Sequence, residues 1–158
     1  MQQDYKIVSL VMVVITGILL QVLFCIVDSS DTPSRAAVEF SKAYFKYDNS
    51  MADRLCEESK TVNGENVVEK YIRLKENESK NRGYSPWFMK NKLYHIKTNT
   101  FENDKKNAKV RLTCIIKPPL KSFFTHESTE IDEVITLVKV GKVWKVCGKI
   151  FSLRWFYL

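Results

Sequence analysis

The sequence predicts an α+β chain: an N-terminal transmembrane helix, then three helices packed on a curved antiparallel sheet. Three observations carry this. Residues 7–27, IVSLVMVVITGILLQVLFCIV, form a run without a charge. Between residues 33 and 81 apolar side chains recur at helical spacing, and beyond Gly83 the period changes to two. Helices first and strands after is the order expected when helices cover one face of a sheet.

At about 1.5 Å per residue, the run 7–27 reaches roughly 30 Å, the thickness of a bilayer's hydrocarbon layer. Its polar interruptions are Ser9, Thr16 and Gln21. A cleaved signal peptide has a shorter apolar region and ends in a small-x-small site, which residues 23–27 do not offer. Lipidation at Cys25 is disfavoured by the bulky Phe24 before it. Lys6 precedes the run and Asp28 and Asp31 follow it, so the amino end is expected inside and the domain outside. The expectation is a single-pass protein of the inner (plasma) membrane, touching the bilayer through 7–27, with an extracytoplasmic domain.

Residues 28–33 form a polar linker that ends in a helix start. Thr32 is a capping residue, and Pro33 suits a first turn where its missing N–H is no loss. Ala37, Phe40, Tyr44 and Tyr47 then mark a helix over 33–47. Ser50 with Asp53 resembles a capping box that opens a short second helix through Glu58. Asn63-Gly64 breaks the chain, and a third helix over 65–81 carries Val67, Val68, Tyr71, Ile72 and Leu74. The Asn77-Glu78-Ser79 sequon falls inside this helix and is read as chance.

Residues 92–102 are expected to alternate, with Leu93, His95 and Lys97 opposed to Tyr94 and Ile96. A turn at 103–107 leads to 108–117, where Val110, Leu112, Cys114 and Ile116 share one face. Pro118-Pro119 stops that strand. Residues 131–140 and 143–150 make a second hairpin across Gly141.

The net charge of +7 lies entirely beyond the apolar run, because Asp4 and Lys6 cancel. Beside lipid, such charge favours anionic headgroups or an acidic protein over nucleic acid, and no nucleic-acid partner is expected. Of the four cysteines, Cys25 lies in the run; Cys56, Cys114 and Cys147 allow at most one bridge, with Cys114–Cys147 a candidate if their strands are neighbours. No CxxC spacing occurs, and neither His95 nor His126 sits in a ligand pattern, so neither metal nor cofactor is expected.

The segments SRAAVEFSKAYFKYD (34–48), the long third helix and VITLVKVGKVWKVCG (134–148) together resemble the cystatin-like cone of the nuclear transport factor two superfamily. The last hairpin is similar to the closing pair of many small bacterial members. The resemblance covers about 34–150 and implies a cone-shaped α+β domain there; around it the residues themselves place a cytoplasmic N-terminus at 1–6, the span at 7–27, a linker at 28–33 and an aromatic tail at 151–158. The superfold hosts unrelated tasks. Enzymatic members are isomerases and dehydratases that place a carboxylate and a tyrosine or histidine in the cone, and Tyr71, Tyr94, His95, Asp132 and Glu133 are the groups this chain would offer. None falls in an enzymatic motif, so a non-enzyme is expected. Membrane-anchored members with this layout include the inner-membrane scaffold proteins of type IV secretion systems.

Two stretches carry more apolar surface than the fold needs. The tail offers Phe151, Leu153, Arg154, Trp155, Phe156, Tyr157 and Leu158, and the loop 118–126 offers Leu120, Phe123 and Phe124. Aromatic and arginine side chains are favoured at protein interfaces. The expected function is a non-catalytic, membrane-anchored accessory or scaffold subunit of a respiratory or secretory membrane complex, docking on other subunits through these residues. The alternatives are a small-ligand module that uses the cone pocket, or an isomerase- or dehydratase-like enzyme.

Overall fold

The computed structural model describes residues 2–28, 30–62, 64–117 and 128–148; the side chains at 2–7 and 25–28 are not described. The chain forms two compact units, Met1–Ser30 and Asp31–Leu158. The first is the helix α1, Gln2–Asp28. The hydroxyl of Thr16 is accommodated by donating to the Met12 carbonyl, 2.8 Å away.

The structure corrects the expected span at 7–27. Among the described residues no helix is long and apolar enough to cross a membrane. The transmembrane helix, the single-pass description and the inner-membrane placement built on it are withdrawn with it.

The second unit is α+β, as expected. α2 (Pro33–Lys46) starts where the sequence places it, with the Thr32 side chain accepting from the Arg35 amide and Pro33 in the first turn. It ends at Tyr47, whose left-handed φ of 55° turns the chain sharply. The expected second helix from Ser50 to Glu58 is broken in two. Asp48, not Ser50, is the cap, and it opens a 3₁₀ turn, Asn49–Arg54. Leu55 and Cys56 are extended, and α3 (Glu57–Lys60) follows. Tertiary pairing overrides helix propensity here. Leu55 is fully buried and bridges Val146 in parallel, and the Cys56 amide donates to the Val146 carbonyl at 3.0 Å.

Two short strands, β1 (Thr61–Val62) and β2 (Glu65–Asn66), form a small hairpin before α4 (Val67–Asn81). Asn66 caps α4 by accepting from Val68 and Glu69. Val68 and Tyr71 of its expected stripe are buried, whereas Leu74 is exposed. A 3₁₀ turn, Pro86–Met89, leads into the main sheet. That sheet is an antiparallel meander of β3 (Lys92–Asn103), β4 (Asn107–Lys117), β5 (Thr129–Val140) and β6 (Val143–Val146), paired in that order.

α2 packs on one face of the sheet and supplies Phe40, Tyr44 and Phe45 to the core. β4 contributes Val110, Leu112, Cys114 and Ile116, the set its alternation predicts. Leu137, Trp144 and Val146 close the far side. Burial pushes the Cys114 thiol up to about 11, which makes it a packing residue and a poor nucleophile.

β3 departs from strict alternation. Between Tyr94 and Lys97, His95 and Ile96 together oppose Cys114 alone, which is a β-bulge. His95 takes φ 51° to make it. The bulge puts Leu93 and Ile96 on the core side and Tyr94 and Lys97 opposite Ile115 and Thr113 on the outer face. The expected placing of Leu93, His95 and Lys97 on one side is thereby corrected. Left-handed backbone suits glycine, is tolerated by histidine and is poor for β-branched residues. His95→Val is therefore expected to lower stability by about 1–2 kcal/mol, and His95→Gly to leave it equal or slightly raised. Urea denaturation of the two variants checks the order.

Candidate interaction surface

The ten residues expected to dock, Leu120, Phe123 and Phe124 of the loop and Phe151, Leu153, Arg154, Trp155, Phe156, Tyr157 and Leu158 of the tail, lie outside the described residues. Among the described residues four exposed aromatic side chains are close in sequence, in the connection from α4 to β3 and the start of β3, while Phe24 and Phe101 are exposed apart from them. Tyr84 is exposed, Trp87 is 64% exposed, and Phe88 and Tyr94 are partly so.

Local chemistry fixes this connection. After α4 the chain turns at Gly83, whose φ of 73° is the left-handed conformation that frees it from the helix. The Gly83 and Tyr84 amides donate back to the carbonyls of Lys80 and Ser79. Pro86, with its preset φ, opens the 3₁₀ turn. The Asn91 amide then donates to the Phe45 carbonyl at 2.9 Å, fastening the segment to the end of α2. Trp87 and Phe88 stand edge to face with centroids 5.1 Å apart. Trp87 is thus an exposed indole on a hydrogen-bonded support.

Between α4 and this turn lies a cleft of about 290 Å³. Ile72, Lys75 and Glu76, three and four residues apart on α4, form one wall. Ser85, Pro86, Trp87 and Lys90 form the other, and Tyr47 lines it from the end of α2. Lys75 is held by Glu78 at 2.8 Å, and the Tyr47 ring meets Tyr71 edge to face at 5.7 Å. Burial, reinforced by Glu78 and Tyr44, pushes the Tyr47 hydroxyl up to about 12, so it stays a neutral donor across the ordinary pH range.

Positive charge continues from the cleft onto the sheet. Lys90 is followed by Lys92, which is in register with Lys117, and the Lys117 ammonium lies 5.3 Å from the centre of the Tyr94 ring. Lys117 is the last residue of β4. On the same outer face Arg111 and Asp132 form a bidentate pair, and Arg111 holds the Asp132 carboxyl below its usual range.

The polar groups weighed for catalysis fall on different surfaces. Tyr71 is buried on the helical side, where its hydroxyl donates to the Tyr44 carbonyl and its ring stacks on Tyr44 at 4.6 Å. Tyr94 and Asp132 are on the outer face with β4 between them. His95 sits in the bulge, and Glu133 is exposed opposite Leu112. Phe40, Tyr44 and Tyr71 belong to the buried core, and none of them lines the cleft. Among the described residues no cluster of histidine, cysteine and carboxylate side chains has a metal-binding arrangement.

The cysteines pair differently from the candidate bridge. Cys56 is joined to Cys147, with Cα atoms 5.2 Å apart, and Cys114 is free and buried. Cys114 pairs in register with Ile131 of β5, whereas Cys147 follows the edge strand β6 that Leu55 and Cys56 cover.

Comparison with protein-family models, curated proteins and solved structures finds no match to this chain.

Proposed function

We propose that the chain is a non-catalytic accessory or scaffold subunit whose α+β unit docks on a partner protein through the aromatic and lysine surface of residues 84–94. The observation that carries this is Trp87: an indole 64% exposed, on a backbone pinned by Gly83, Pro86 and Asn91. An apolar ring left in water is unfavourable by roughly 25 cal/mol per Å² of what a partner would cover. Trp and Tyr are also the side chains most enriched among binding hot spots. The rigid support means that little ordering entropy remains to be lost on association. The loop residues Leu120, Phe123 and Phe124 and the tail residues 151–158 belong to the same proposal on their composition. A nuclear transport factor two-like cone is the scaffold reading that goes with it, supported by α2 packed on one face of a four-stranded antiparallel sheet.

The test is co-purification of the full chain from its source, with and without the double change Trp87→Ala and Phe88→Ala. Both side chains are solvent-facing, so the thermal midpoint is expected to stay within a few degrees. The partner recovered in stoichiometric amount with the native chain is expected to be lost, by tenfold or more.

A further inference from the structure

Resting on that docking reading, we infer that the cleft between α4 and the Pro86–Met89 turn receives an acidic segment of the partner that carries an aromatic anchor. Three features of the cleft converge on this chemistry. The volume, about 290 Å³, lies at the lower edge of small-molecule sites, so it suits one inserted side chain better than a large cofactor. Its lining sets the rings of Tyr47 and Trp87 beside the aliphatic Ile72, a surface that favours a flat apolar group. Its lining holds Lys75, Lys90 and Glu76, with Glu78 paired to Lys75 and Asp48 within electrostatic reach of Lys90; beyond the cleft, positive charge extends through Lys92 to Lys117. Lys75 already pairs with Glu78, so Lys90 is the cation on which the inference chiefly rests.

Charge complementarity decides between occupants. The chain carries a net +7. Asp48 offsets part of the Lys90 charge, and Lys92 and Lys117 lie side by side on the sheet, so a basic segment would be repelled there, whereas glutamates beside an inserted ring would pair with these ammonium groups. Such rim pairs chiefly raise the association rate and set the register, while the buried ring supplies most of the affinity. The assignment is therefore a short acidic stretch with a central Tyr or Phe.

The experiment titrates the full chain into fluorescently labelled synthetic peptides and follows anisotropy. The probe is a run of glutamates around a single tyrosine; the controls replace the tyrosine with alanine, or the glutamates with lysine. Saturable binding of the probe is expected, weaker by about tenfold for the alanine peptide and lost for the lysine peptide. Lys90→Glu is expected to weaken it by about tenfold, and to do so less as salt is raised. Lys90 is exposed, and circular dichroism of the variant verifies that the fold is kept. Equal affinity for the alanine peptide, no effect of Lys90→Glu, no saturation, or tighter binding of a single-stranded oligonucleotide than of the probe would each overturn the assignment. Failure of the probe while the Trp87 and Phe88 changes still abolish the native complex overturns this cleft chemistry and leaves the docking reading in place. Persistence of the native complex in that double variant overturns the docking reading itself.

Discussion

Replacing both Cys56 and Cys147 by serine is expected to lower the stability of the α+β unit by about 3–4 kcal/mol. The two residues are 91 positions apart, so the bridge closes a long loop in the unfolded chain, where chain-entropy reasoning gives roughly 4 to 5 kcal/mol as an upper figure. Native-state relaxation on removing the cross-link brings the expected loss somewhat below that. The bridge also holds an element with few other attachments. β6 has four residues and pairs with β5 on one side. On its other side it is covered by the Leu55 bridge and the Cys56 amide, with the Gly148 amide reaching Ser59 just beyond its end. Loss of the bridge is expected to loosen this edge first, exposing Trp144 and Val146, which are now buried. Urea denaturation of the native chain with and without reductant, beside the double serine variant, checks the magnitude. Coincident curves for all three would show that the cross-link contributes nothing.

The second large effect is expected at Arg54. Its guanidinium lies between Asp31 and Glu39, with Nη1 2.9 Å from Asp31 Oδ2 and Nε 2.9 Å from Glu39 Oε2. Asp31 Oδ2 also accepts from the Trp144 amide at 2.6 Å, and Arg54 reaches the Trp144 carbonyl at 3.3 Å. One group of charges thus ties the entry to α2, the 3₁₀ turn at Asn49–Arg54 and the edge strand β6. The Arg54 and Asp31 side chains are only 16% and 15% exposed, and Asp31 Oδ1 is buried without a protein donor. Arg54→Met therefore leaves a nearly buried carboxylate uncompensated, which is costly in a way that removing the whole group is not. The expected loss is about 3 kcal/mol, and adding Asp31→Asn should restore part of it, a coupling that a double-mutant cycle measures.

The acid limb gives an independent reading of the same network. Burial raises the Glu39 carboxyl, but the hydrogen bonds and charges of Arg35 and Arg54 outweigh it and hold the group below its usual 4.5. A carboxyl depressed by folding adds stability above its unfolded value, and that stability fades as pH falls through the lower folded value. Since Glu39 is well exposed, its share is small. The native chain should thus lose a little stability just below pH 4.5 that the Arg54 variant has already lost, and the two denaturation curves should draw together there.

Much of the architecture is written in short-range chemistry. Thr32 and Pro33 mark the start of α2, Asn103 to Asn107 mark the first hairpin, and Gly141 the second, because caps and turns depend on a few adjacent residues. The alternation of Val110, Leu112, Cys114 and Ile116 gives the buried face of β4 directly. Features set by distant contacts were not legible. Helix signals at Ser50 to Glu58 gave way because Leu55 pairs with Val146, far along the chain. The same contact places Cys56 beside Cys147, which spacing alone leaves undetermined. The bulge at His95 breaks the period on which face assignment relies, and nothing local requires it. The apolar run at the amino end reads from sequence as a membrane span, yet no helix among the described residues meets that length and apolarity.

The surface at 84–94 is not marked by the sequence, and the residues that the sequence does mark lie outside the described residues. Aromatic richness drew attention to Phe123, Phe124 and Trp155, while YSPWFMK at 84–90 has no periodicity and passes as a connection. Its signal lies in composition: three aromatic residues and a lysine around a proline. Only the fold shows that Trp87 stays outside the core while Phe45, Tyr44 and Tyr71 fill it.

The central claim is that this surface binds a protein partner. Its most direct measurement is the native mass of the full chain isolated from its source, compared with the Trp87→Ala, Phe88→Ala variant isolated in the same way. The native chain is expected in a complex of defined stoichiometry and the variant as the chain alone, with the same thermal midpoint. An unchanged complex in the variant, or a native chain that runs alone, would contradict it.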